Sequence, residues 1–121
     1  MQALSGKIKT YEDTPAELKA YPRFSRENFD TNLQLIKEVE DLAQKKNCTP
    51  AQLAIGWTKA LSKRPGMPVI IPIPGATTVD RVQENSRHVD LTLDELDHID
   101  TILAKFEIKG NRYPDGVPVN T

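Results

Sequence analysis

From Phe29 onward apolar residues return every three or four positions: Phe29, Leu33, Ile36, Val39, Leu42 and Ala43. That spacing predicts an amphipathic helix over 26–46, capped by Ser25. A second helix begins inside "NCTPAQLAIGW". Thr49 is its N-cap, Pro50 takes the first helical position, and Gln52 completes a capping box. It runs to about Lys63 with Leu53, Ala54, Trp57, Ala60 and Leu61 inward, and Pro65 and Gly66 stop it. "MPVIIPIP" is the one strand, over 68–73, and its continuous apolar run implies burial on both faces, as in a parallel sheet. Thr78 caps a helix to about His88. Thr92 and Glu95 form another capping box, opening a helix over 92–107 with Leu96, Ile99, Leu103 and Phe106 as its inner stripe. Residues 1–24 are irregular, with room in "TPAELKAY" for one short helical turn, and the tail from 108 to 121 is turn-rich.

A single strand among helices is a structural problem. Both of its edges lack partners, and a buried strand without partners strands its backbone N–H and C=O groups. Prolines in it are tolerable only where the chain enters or leaves a sheet. The pattern is that of the last part of a helix-wrapped parallel sheet, an α/β fold without its earlier strands.

Composition narrows the function classes. The 121 residues make one domain, with 38% hydrophobic and 27% charged residues and a formal net charge of −1. The 16 basic and 17 acidic side chains are interleaved, which gives no footprint for nucleic acid or an anionic membrane. No apolar run approaches the about 20 residues of a membrane span, and "MQALSGKIKT" lacks the apolar core of a secretory signal. With Cys48 as the one cysteine, a reducing, cytoplasmic setting is expected.

The stretch "VIIPIPGATTVDRVQEN" carries the candidate chemistry. A helix starting near Thr78 presents free N–H groups and a partial positive charge, which suits an anion. Arg81 in its first turn can fork onto a phosphate. Arg81, Glu84, Asn85 and His88 fall at i, i+3, i+4 and i+7, one face, with Val79, Val82 and Val89 opposite and toward the sheet. Glu84 and Asn85 supply an acceptor and an amide able to read an adenine edge, and Gly75 and Ala76 let a ligand approach the backbone. The plain alternative is a solvated helix on which Arg81 pairs with Glu84.

In order and spacing, "TPAQLAIGW", "VIIPIPGATTVDRVQEN" and "LTLDELDHID" resemble the C-terminal third of an aldo-keto reductase. That family reads T-P-A-Q-L-A-L-A-W, I-P-G-x-x-x-x-x-R-x-x-E-N and L-T-x-x-E-L-x-x-I-D. Upstream, "ALSGKIKT" is similar to the end of its loop after the seventh strand, and "RFSRENFDTNL" to its R-F-x-x-E-N-F-x-x-N-L. The tail "GNRYPDG" resembles the fungal pyridoxal-reductase-like branch. The resemblance implies the end of a (β/α)8 TIM barrel: 1–24 the loop after strand seven, 25–63 two helices, 68–73 strand eight, 78–88 a cofactor-clamp helix, 92–107 the last helix and 108–121 the tail. It further implies NADPH-dependent reduction of an aldehyde or ketone. Carried over by position, Arg81 would contact the 2′-phosphate and cover the adenine, with Glu84 and Asn85 at the adenine or ribose edge. Gly75, Ala76 and Thr77 would form the phosphate-side turn, Thr77 or Thr78 would donate a hydroxyl, and Leu4 would meet the pyrophosphate side. Tyr113 is the candidate for the substrate pocket, or else locks the turn beside Pro114.

Two departures qualify that expectation. Many members have Lys-Ser where this chain has Gly75-Ala76, and losing that lysine leaves NADH open beside NADPH. The family's catalytic Asp, Tyr, Lys and His belong to earlier strands, so this chain holds no catalytic residue of its own. Elsewhere, His88 and His98 read as solvated helix positions, Cys48 as structural and Trp57 as core, and no metal ligands have the usual spacing. Two further readings stay open: a non-catalytic nucleotide-binding or assembly fragment that pairs with the missing barrel half or with itself, and a small helical interaction module.

Overall fold

The computed structural model describes Leu4, residues 7–111 and residues 113–117. Its elements, in chain order, are α1 (Ala16–Lys19), a 3₁₀ turn (Pro22–Phe24), α2 (Arg26–Lys45), α3 (Pro50–Ala60) continued by a 3₁₀ turn (Leu61–Lys63), α4 (Val79–Ser86) and α5 (Leu93–Lys105). Parts of the expected first loop and of the tail lie outside the described residues, as does Arg112 of "GNRYPDG".

Both capping boxes form. Thr49 accepts from the Gln52 amide while the Gln52 side chain accepts from the Thr49 N–H, and Thr92 and Glu95 do the same at α5. α2 ends just before Asn47, which takes a left-handed φ of 53°, and α3 begins three residues later at Pro50. Three helices then close one core: Ala43 from α2, Leu53 and Ala60 from α3, and Leu91, Leu96 and Ile99 at α5. Trp57, Val89 and Leu103 pack against it, half-buried. Ion pairs fasten its rim: Lys46 to Glu95 at 2.5 Å and Arg64 to Asp100 at 2.6 Å. The acids of "DELDHID" are thus engaged in part by Arg64.

The expected strand at 68–73 is corrected. Among the described residues no strand is present, because nothing lies alongside to complete its ladder. Exposure still alternates with a period of two: Val69, Ile71 and Ile73 are 83%, 78% and 93% exposed, while Ile70, Pro72 and Pro74 are half-buried. That is the mark of extended chain. The segment is held from one side, the Ile70 N–H donating to Ser62 Oγ at 2.7 Å. Burial on both faces does not occur. Val79 and Val82, expected to face a sheet, are exposed for the same reason.

The tail is tied more firmly than its composition suggests. Asn32 donates to the carbonyls of Arg23 and Lys109, and accepts from the Lys109 N–H. Gly110 has a φ of 85°, and a Cβ there would meet the Pro22 carbonyl carbon at 2.6 Å. Only glycine fits that crossing.

Candidate functional site

The site centres on the start of α4. Thr78 Oγ accepts from the Arg81 N–H at 3.3 Å, fixing the first turn of an eight-residue helix. Asn85, one and a half turns on, donates from Nδ2 to the Gly75 carbonyl at 3.3 Å. The turn 75–78 is therefore folded back over its own helix. A Cβ at Gly75 would meet nothing within 4 Å, so the backbone of that turn lies open to approach. Ala76 and Thr77 are exposed.

Arg81 is half-buried, and among the described residues its guanidinium forms no ion pair. The plain alternative, an Arg81–Glu84 pair, is not what the side chains do. A guanidinium with five donors and no anion suits a phosphate or carboxylate from outside the chain.

Glu84 and Asn85 part company across the helix. Glu84 lines a cleft of about 680 Å³ together with Leu4, Cys48 and Arg87. Asn85 lines another, of about 490 Å³, beneath the 69–74 segment. The structure brings Leu4 and Glu84 to one cleft, Gly75 and Asn85 into contact, and Thr78 against Arg81. Tyr113, half-buried, sits in the turn 113–117, away from these groups in sequence.

His88 needs correction. Arg87 leaves α4 with a ψ of 125°, so the helix stops at Ser86 and His88 does not continue the Arg81 face. It joins a polar chain instead. Lys59 Nζ donates to His88 Nδ1 at 3.2 Å, and Nε2 meets Asp90 at 3.1 Å. The Lys59 ammonium can only donate, so in that contact Nδ1 is the acceptor. The imidazole, then the neighbouring Lys63, hold the Asp90 carboxyl below its ordinary range.

Sequence reasoning missed two devices. Gln52 is buried and, besides its cap, donates from Nε2 to the Glu84 carbonyl at 3.1 Å, fixing α4 on α3. Gly56 lets the chain after α4 pass close, since a Cβ there would meet the Val89 oxygen at 2.7 Å. The capping-box signal explained Gln52 fully at short range and hid its second bond. Cys48 is half-buried, and burial pushes its thiol up, away from reactivity. Among the described residues no three His, Cys, Asp or Glu side chains gather as metal ligands. No helix there is long and apolar enough to cross a membrane.

Comparison with known proteins places this geometry in context. The profile described as the aldo/keto reductase family matches residues 2–104. A Schizosaccharomyces pombe protein named "Probable pyridoxal reductase 2" is 36% identical over 118 residues, covering 91% of this chain and 34% of its own. "Probable aldo-keto reductase 1" of Glycine max is 34% identical over 106 residues, 86% of this chain and 29% of its own. The S. pombe aldo-keto reductase yakc, whose name specifies NADP(+), is 32% identical over 117 residues, 93% of this chain and 33% of its own. The chain thus spans about a third of the length of these relatives. No solved structure matches it.

Proposed function

Because the chain belongs to the aldo/keto reductase family, we propose that it forms the nucleotide-holding end of an NADPH-dependent carbonyl reductase. The family implies a (β/α)8 barrel. In this reading residues 68–73 are its closing strand, paired with strands from the remaining two thirds. The observation that carries the proposal is the Arg81 guanidinium, unpaired by any acid among the described residues and placed in the first turn of α4. The name of the yakc relative, with its NADP(+), supports the same cofactor.

The residues fit the adenosine end of that cofactor. Arg81 would hold the 2′-phosphate of the bound cofactor, its guanidinium being able to donate in a fork. The open backbone at Gly75 and the exposed Ala76 and Thr77 leave room for the phosphate-side turn, and Thr78, already accepting from Arg81, keeps its hydroxyl proton to donate. Asn85, by holding Gly75, keeps the turn in place. Leu4 and Glu84 line one cleft on the flank of α4, where the ribose and pyrophosphate side would run. When bound, NADPH supplies the hydride for an aldehyde or ketone. The acid that protonates the carbonyl oxygen comes from the remainder of the barrel, so this chain has no turnover alone. Tyr113 reaches the substrate side from the tail.

The test compares 2′,5′-ADP with 5′-AMP on the full chain, following the amide resonances of residues 75–85. The phosphorylated nucleotide is expected to bind about tenfold more tightly, the size of one charge-assisted contact. Arg81→Ala should remove the difference. Equal affinity for both nucleotides in the unsubstituted chain sinks the clamp.

A further inference from the structure

We infer that the cleft between α3, the 69–74 segment and residues 85–90 binds a small amphiphilic carboxylate, of the class of a medium-chain fatty acid. Its volume of about 490 Å³ lies in the usual range for small-molecule sites. Ile55, Ala60, Ile70, Pro72, Pro74 and Val89 line it. The apolar side chains in that lining are aliphatic, and the imidazole of His88 stands among the polar groups at the mouth.

The charge at its mouth selects the head group. Lys59, Lys63, His88 and Asp90 all line the cleft. Lys63 reaches Asp90 at 3.5 Å and the Leu91 carbonyl at 3.0 Å, and His88 also bonds Asp90. That acid is therefore shared between two groups. Lys59 has no acid among the described residues; its ammonium meets the His88 Nδ1 at 3.2 Å. A cation held beside an aliphatic cleft without a counter-ion is complementary to an anion carrying an apolar tail. Arg87 also lines the cleft and meets the Asn47 carbonyl at 3.5 Å, so the mouth offers an anion a second cation. Asp90, close by, repels the second charge of a phosphate monoester. The cleft is also too small for a peptide helix, whose diameter is about 10 Å.

Arg81 takes no part in this cleft, so the inference stands apart from the nucleotide reading. The experiment titrates the full chain with decanoate below its micellar concentration, by calorimetry and amide resonances, with decanol as the uncharged control. Saturable decanoate binding is expected, with shifts at Ile70 and Val89, about tenfold tighter than decanol. Lys59→Met, which keeps the aliphatic stem at an exposed position, should weaken decanoate binding severalfold and narrow the difference. Lys59→Arg should preserve it, and Arg81→Ala should leave decanoate binding unchanged. The inference is overturned by an absence of saturable binding. It is overturned equally by a Lys59→Met chain, shown to be folded by its melting curve, that holds decanoate as tightly as before.

Discussion

The three-helix layer and the arm from Met67 to Thr78 are both rich in aliphatic residues, and they fare oppositely. In the layer, Leu91 and Leu96 are fully buried. In the arm, Val69, Ile71 and Ile73 lie on the surface. Hydrophobicity is not the difference. A helix satisfies its backbone within itself and needs only a neighbour for its apolar stripe, which α2, α3 and α5 supply to one another. An extended segment needs neighbours for its backbone as well, and they must be strands. The arm is therefore the part of this chain whose structure depends on what lies beside it.

Substitutions sharpen that contrast, and the largest effect belongs to the layer. Leu96→Ala should lower unfolding free energy by about 3 kcal/mol in urea denaturation, whereas Ile73→Ala should change it by less than about 0.5 kcal/mol. A comparable loss from both would mean the arm is packed in solution. Next comes the tail crossing. Gly110→Ala adds strain at positive φ to a clash with the Pro22 carbonyl and should cost about 2 kcal/mol, while Gly75→Ala, facing open space, should be nearly silent in the same melt. An exposed apolar arm is expected to favour self-association, so Ile71→Lys should lower the mean sedimentation coefficient without moving the melting midpoint. The smallest effect is a pH dependence. The Lys46 ammonium, then the Thr92 N–H, holds the Glu95 carboxyl below its ordinary value. A depressed carboxyl stabilises the fold above its unfolded pKa, and that stabilisation fades as pH falls below about 4.3. Because Glu95 is partly exposed, the contribution is under about 1 kcal/mol. Glu95→Gln should flatten the acid side of a stability–pH curve by that amount.

What the sequence made legible was local. The caps at Thr49, Thr78 and Thr92 involve residues three apart, and each formed as expected. The α5 stripe was legible too, though Ile102 joins it unannounced. Partnerships across long separations were not. Leu91 lies between helices, and only the convergence of α3 and α5 buries it. Asn32 reaches Lys109 over 77 positions, and no short pattern reports such a bond. His88 was assigned to the Arg81 face by continuing the helical period past a point where Arg87 ends it. Around the start of α4, the contact of Thr78 with the Arg81 N–H was readable from the three-residue cap spacing. The separation of Glu84 from Asn85 into two clefts was not, since it depends on how α4 leans on α3 through Gln52. The expected strand is instead extended chain, apolar and exposed on one face, because its edges find no partner.

The spacing of the prolines has a consequence for polymerisation. Pro68, Pro72 and Pro74 share one parity, and Ile70, the remaining residue of that parity, gives its N–H to Ser62. In extended chain, residues of one parity direct their backbone groups to the same edge. One edge of the arm therefore has no free donor between 68 and 74, while the other, through Val69, Ile71 and Ile73, has all of its own. Cross-β growth needs donors above and below every layer. A neighbour finds donors and acceptors along the open edge of this segment but acceptors alone along the other, so fibre growth through both edges is disfavoured.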